Sequence, residues 1–119
     1  MCKLVPYMNG KVADIKLQHI ENITRQAANC KNIHRIMLFG SAIEDRCKEQ
    51  SDIDIAVFGA KTRSNYLDSK EFHTFKTNLF RFDWNQEYDV IYYRDVVGLN
   101  DSFMKEIERG VEIYRRQPV

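Results

Sequence analysis

The sequence predicts an α/β (α+β) domain, and three observations carry that prediction. Short apolar runs rich in β-branched and aromatic residues recur at 36–39, 53–58 and 88–93, and an alternating run follows Gly110. Between them lie segments whose apolar residues recur at steps of three and four, the spacing of an amphipathic helix. The two prolines, Pro6 and Pro118, stand near the two ends, so nothing breaks the interior elements.

The elements follow in order. From about Lys11 to Lys31, the apolar set Val12, Ile15, Ile20, Ile23, Ala27 and Cys30 predicts a first helix, opened by Asn9 or Gly10 and ended by Asn32. Ile36–Phe39, stopped by Gly40, predicts a buried strand, and Ile53–Phe58, stopped by Gly59, predicts a second. A short helical turn lies between them. Ser64 is placed to cap a second helix running to about Phe80, with Leu67, Phe72, Phe75 and Leu79 on its inner face and Phe80 also in the core. Tyr88–Tyr93 is the third strand. Asn100 or Asp101 opens a last short helix carrying Phe103 and Ile107, and Gly110 stands where a C-cap glycine belongs. Val111 and Ile113 alternate with Glu112 and Tyr114, as in a half-buried final strand.

Length and composition narrow the function. A chain of 119 residues fits one domain, 1–119, and 44% apolar with 29% charged residues excludes global disorder. Eighteen basic against 17 acidic residues leave a net charge of +1. That balance argues against a protein that grips nucleic acid along its length, while permitting a local nucleotide site. Cys2, Cys30 and Cys47 form no CxxC pair, which suits a reducing, cytoplasmic setting, and Cys47 reads as a small half-buried residue. No signal-peptide core and no membrane-length apolar run is present. His19, His34 and His73 share no metal-ligand spacing.

The chemistry concentrates in residues 39–59. On a strand, alternate side chains share a face, so Asp52 and Asp54 point the same way with Cα atoms roughly 6.6 Å apart, while Ile53, Ile55 and Val57 point to the core. Two neighbouring carboxylates repel and are costly to desolvate, and a divalent cation is the simplest neutraliser. An oxygen-only set of this kind favours Mg²⁺ or Mn²⁺. The plain alternative is an edge strand with polar residues facing water. Gly40 directly follows a strand and permits a tight turn, and amides freed at a helical turn beginning at Ser41 would bind an anion. The alternative there is a turn glycine followed by a helix-capping serine. Asp89, in the third strand, completes an acidic trio if that strand adjoins the second, with the role of general base; otherwise it is a strand-opening aspartate.

Gly40-Ser41, ten residues, then Asp52-Ile53-Asp54 resembles the signature of the polymerase-β-type nucleotidyltransferase superfamily, and the phrase Ser51-Asp52-Ile53-Asp54-Ile55-Ala56-Val57 is especially typical of it. Asp89 falls where the family's third acidic strand falls, and Ile107-Glu108-Arg109-Gly110-Val111 resembles its usual ending. The nearest group is the minimal nucleotidyltransferases. The resemblance implies the nucleotidyltransferase palm fold, a mixed sheet of about four strands with helices packed mainly on one face. It implies two Mg²⁺ ions at Asp52, Asp54 and Asp89, and a triphosphate held by Gly40 and Ser41, to which Arg46 and Ser51 are added here as candidate nucleotide-binding residues. It implies transfer of a nucleoside monophosphate to a hydroxyl with loss of pyrophosphate. One departure stands out: many relatives carry an Arg-Ala-Arg-Gly run after the Gly-Ser, whereas this chain has Ala42-Ile43-Glu44-Asp45-Arg46-Cys47, so Arg46 or Lys48 would supply the phosphate's positive charge, unless Arg46 is simply a solvated loop charge.

Minimal nucleotidyltransferases often stand beside a small helical HEPN toxin and silence it by adding AMP from ATP to a tyrosine. The resemblance therefore implies a protein adenylyltransferase acting as antitoxin. The alternatives are an inactive antitoxin that neutralises its partner by contact and, less favoured, an enzyme modifying a small molecule such as an aminoglycoside. Of Tyr88, Tyr92 and Tyr93 around Asp89, the last two face opposite sides, so at most one could stack on a base, and core packing is the commoner fate.

Overall fold

In a computed structural model, which describes residues 2–94 and 102–117, six strands and four α-helices follow from local sequence rules. The first two strands, β1 (Leu4–Tyr7) and β2 (Gly10–Ala13), form an antiparallel hairpin with Tyr7 opposite Gly10. Its two-residue turn puts Met8 at φ 55. This corrects the helix expected from Lys11. Val12 does fit the helical spacing, but pairing with Leu4–Tyr7 satisfies the backbone of residues 10–13 instead. A 3₁₀ turn at Asp14–Lys16 leads into α1 (Leu17–Ala28), which buries Ile20, Ile23 and Ala27.

β3 (Ile33–Phe39) ends in a 3₁₀ turn at Gly40–Ile43, and β4 (Ile53–Gly59) returns antiparallel to it. The single helix expected from Ser64 to Phe80 is two helices. Thr62, not Ser64, caps α2 (Arg63–Leu67), its hydroxyl accepting from the Asn65 amide; Ser69 then caps α3 (Lys70–Phe82), its hydroxyl accepting from the Phe72 amide at 3.1 Å. Two caps seven residues apart break the periodicity that had suggested continuity. β5 (Tyr88–Arg94) pairs parallel with β4, as the crossover through α2 and α3 requires. α4 (Ser102–Glu108) and β6 (Val111–Arg115) complete the chain. The expected start of that last helix at Asn100 or Asp101, the Phe103 side chain and Pro118 lie outside the described residues; Ile107 is buried.

The main sheet is therefore mixed and four-stranded, in the order β5-β4-β3-β6. One face carries Ile36, Leu38, Ile53, Ile55, Val57 and Tyr92 against Ile20, Ile23 and Ala27 of α1 and Phe72, Phe75 and Leu79 of α3. The opposite face is covered more sparsely: Met37, Phe39, Ala56 and Phe58 pack against Met104 and Ile107 of α4. Helices thus sit mainly on one side. Phe80, expected in the core, is 56% exposed, because the α3 face that meets the sheet runs through Phe72, Phe75 and Leu79 and leaves Phe80 at its margin. Gly110 has no positive φ; its need is close approach, since a Cβ there would collide with the Leu38 carbonyl of β3. All three cysteines are free. Among the described residues no helix is long and apolar enough to cross a membrane.

Asn32 ties the ends of the sheet. Its Oδ1 accepts from the amides of Ala60 at 3.0 Å and Lys61 at 2.9 Å, and its Nδ2 donates to the Tyr92 hydroxyl at 3.0 Å, which in turn donates to the Lys61 carbonyl. Asn32→Ala strands these buried groups and is expected to cost about 1–3 kcal/mol. Ile55→Ala, at a fully buried position, is expected to cost about 2–5 kcal/mol. Urea denaturation of each variant against the parent measures both.

Candidate active site

The acidic residues meet because of strand register. In the β4–β5 ladder Asp54 stands directly opposite Asp89, and on the other flank of β4 it stands opposite Phe39, the last residue of β3. Phe39 is followed by Gly40, so the turn after β3 lies against Asp54. A Cβ built on Gly40 would come 3.2 Å from the Asp54 Cγ and closer still to its Oδ2. Gly40 also has φ +74, a conformation L-residues disfavour. Both facts call for glycine.

Asp52 precedes the first residue of β4 and is exposed, as is Asp89, whereas Asp54 is half-buried. Burial pushes the Asp54 carboxyl above the ordinary aspartate range, and the negative charges of Asp89 and Asp52 push it further the same way. Asp54 thus feels the negative charge of both other expected carboxylates. Their all-oxygen donor set suits a hard divalent cation. Among the described residues no three His, Cys, Asp or Glu side chains are already drawn together as a metal cage.

Ser41 lies within the 3₁₀ turn and does not cap it; its hydroxyl is 3.5 Å from the Asp52 carbonyl, which brings the Gly-Ser turn beside the acidic strand. Ser51 closes a tight turn, its amide donating to the Lys48 carbonyl and its hydroxyl accepting from the Lys48 amide, both at 3.0 Å. Cys47, read as half-buried, is fully buried between them; burial raises its thiol pKa, opposed by the charge of Lys16 and by hydrogen bonds from Ser41 and Ser51. Arg46 sits on the surface in an ion pair with Glu44, an attraction that lowers the Glu44 pKa and raises that of Arg46. Tyr92 is buried in the main core, and Tyr93 stacks on Phe58, with ring centroids 5.6 Å apart, on the face that carries Asp89.

Two neighbours were not singled out by the sequence. Lys16 and Gln86 are both buried next to the segment that leads into Asp52. Each looks like an ordinary surface residue in the sequence, and only the fold brings Lys16 against Glu49 and Gln86, and Gln86 against Ser51. Beside Asp89 runs a groove of about 540 Å³ lined by Lys76, Phe80, Trp84, Tyr88 and Val90, in which Trp84 is 76% exposed.

The profile of the family described as "Polymerase beta, Nucleotidyltransferase" matches residues 21–119. Among solved structures, the toxin–antitoxin pair MntA–HpeT, in a variant with two Asp→Glu substitutions, is 19% identical at a TM-score of 0.57, covering 82% of this chain and 74% of that one. A candidate nucleotidyltransferase from Sulfolobus solfataricus is 18% identical at a TM-score of 0.50, covering 86% of this chain and 80% of that one. Both likenesses are of fold. Among curated proteins none matches the chain.

The raised Asp54 pKa fixes the sign of a pH effect. The folded chain holds that proton more tightly than the unfolded one, so stability falls as pH rises from the ordinary aspartate range through the raised value. In metal-free protein Asp54→Asn is therefore expected to raise Tm at pH 7, the gain vanishing as pH falls below the ordinary carboxylate range. Gly40→Ala is expected to lower Tm, with about 1–2 kcal/mol from backbone strain and more from displacing Asp54. Thermal melts across pH test both.

Proposed function

The chain belongs to the polymerase-beta nucleotidyltransferase family, and from that premise we propose that it transfers AMP from ATP to a tyrosine hydroxyl of a partner HEPN toxin, acting as its antitoxin. The observation that carries the proposal is the register of Asp54 opposite Asp89 with Gly40 packed against Asp54. It sets an acidic pair beside a turn able to take phosphate.

In this reading Asp52, Asp54 and Asp89 would hold two Mg²⁺ ions, or Mn²⁺, which when bound neutralise the triphosphate charge. The amides and hydroxyl of the Gly40–Ser41 turn receive the terminal phosphates, with Ser51 shaping the loop beneath them. The acceptor oxygen attacks the α-phosphorus, the bond to the β-phosphate oxygen breaks, and pyrophosphate leaves with the electron pair. Asp89, exposed at the sheet margin, accepts the proton of the attacking hydroxyl. The exposed Trp84 and Phe80 beside Asp89 support a protein acceptor, since exposed aromatic surface of this kind marks interaction sites. The fold likeness to one member of a toxin–antitoxin pair supports the same assignment.

One observation favours a second reading, neutralisation by contact without turnover. Arg46, one of the two residues that could supply the phosphate's positive charge, is paired with Glu44.

The test mixes the protein with the helical protein encoded beside its gene, α-labelled ATP and Mg²⁺. Label is expected on the partner, absent when its acceptor tyrosine is substituted, and reduced by about 10²-fold or more in Asp54→Asn and in Asp89→Asn. Label that persists undiminished in Asp54→Asn would refute the role of the acidic pair. Full protection of cells by both variants would favour contact alone.

A further inference from the structure

Lys16 and Gln86 are 1% and 6% exposed, although both residue types ordinarily lie at the surface. An ammonium and a carboxamide are costly to desolvate, and an apolar side chain of similar size would fill the same space more cheaply. What the polar pair does instead is hold backbone. The Lys16 Nζ donates to the Gln86 Oε1 at 2.6 Å and to the Glu49 carbonyl at 2.8 Å. The Gln86 Nε2 donates to the Ser51 carbonyl at 3.0 Å and to the Glu87 carbonyl at 2.7 Å.

The three carbonyls so tied are not scattered. Those of Glu49 and Ser51 belong to the segment that ends at Asp52. That of Glu87 lies two residues before Asp89, and it also accepts from the Ile53 amide at 3.0 Å, the first rung of the β4–β5 ladder. The register that sets Asp54 opposite Asp89 starts at that rung. Lys16 itself comes from the turn before α1, so one short side-chain chain links the N-terminal turn, the loop before β4 and the start of β5. Burial lowers the Lys16 pKa, while the charges of Cys47, Asp52, Asp83 and Glu49 oppose that shift, which sets the ammonium within reach of the acidic set's field.

We propose that Lys16 and Gln86 are positioning residues for nucleotidyl transfer: together they fix the backbone leading into Asp52 and Asp89, so that the carboxylates keep their spacing when the substrate's charge arrives. This rests on the function proposed above. Neither residue touches the reacting atoms; each acts through the main chain that carries the aspartates. A 1 Å misplacement of such groups is enough to cost about 10²-fold in rate.

The test compares the parent with Lys16→Met, Gln86→Met, Gln86→Glu and Asp54→Asn. Gln86→Glu keeps the size and an acceptor for Lys16 but cannot donate to the two carbonyls. Label transfer from ATP to the neighbour-encoded protein gives kcat and the KM for ATP. Hydrogen exchange on the protein alone reports the backbone of residues 49–53. The Lys16 and Gln86 variants are expected to lose about 10–100-fold in kcat with KM changed less than about threefold. Their amides at residues 49–53 are expected to exchange about tenfold faster or more, while α1 and β3 stay protected. Parental kcat in the folded variants overturns the proposal, and so does a loss no larger than their unfolded fraction with exchange unchanged. Should Lys16→Met not fold, Gln86→Glu carries the same test. If the parent transfers no label, or Asp54→Asn matches it, the function proposed above has failed instead; exchange then decides the clamp alone, and parental exchange at residues 49–53 overturns it.

Discussion

The parallel pairing of β4 with β5 is the constraint on which the rest depends. It sets seven residue pairs in register from Ile53↔Tyr88 to Gly59↔Arg94. Because side chains alternate along both strands, one choice of register decides two things together. It sends Ile53, Ile55, Val57 and Tyr92 into the core under α1 and α3, and it sends Asp54 and Asp89 side by side onto the opposite face. A slip of one residue would bury the aspartates and expose the isoleucines. The apolar side of the ladder therefore stabilises an arrangement whose acidic side is unfavourable by itself.

That unfavourable side is visible in the raised pKa of Asp54, where burial acts first and the charges of Asp89 and Asp52 add to it. The surroundings are arranged to tolerate it. Gly40 leaves room for the carboxylate that any other residue would displace. α4 packs with Met37, Phe39, Ala56 and Phe58 on that face, and Asp89 stays exposed. Strain and charge repulsion gathered at one end of an otherwise well-packed sheet are the usual mark of a functional site. Membership of the nucleotidyltransferases gives that mark its chemistry.

Much of this was legible before any fold was known. Ile36–Phe39, Ile53–Phe58 and Tyr88–Tyr93 are short, apolar and β-rich, and each lies within an observed strand, because β-branched and aromatic runs of strand length are recognisable from local composition. The N-terminal hairpin was not legible in the same way. Val12 and Ile15 lie near the helical spacing of α1, so that period masked a strand held only by its pairing partner. α2 and α3 were merged for a related reason: caps at Thr62 and Ser69 act through hydrogen bonds that periodicity does not register. Phe80 was assigned to the core by its character, but the tilt of α3 on the sheet decides which margin residue is left out.

The sequence by itself determined which residues are the candidates for the chemistry. Two aspartates separated by one residue on an apolar strand, a glycine-serine step ending another strand and a third aspartate on a third strand are local facts, readable because strand alternation and turn chemistry are local. Only the tertiary structure decided that Asp54 faces Asp89 and that Lys16 and Gln86 lie buried beneath the segment leading into Asp52. Those outcomes depend on strand order and on how one loop wraps over the 3₁₀ turn before α1. They are properties of residues 30 to 70 positions apart, and no spacing within a single segment encodes them.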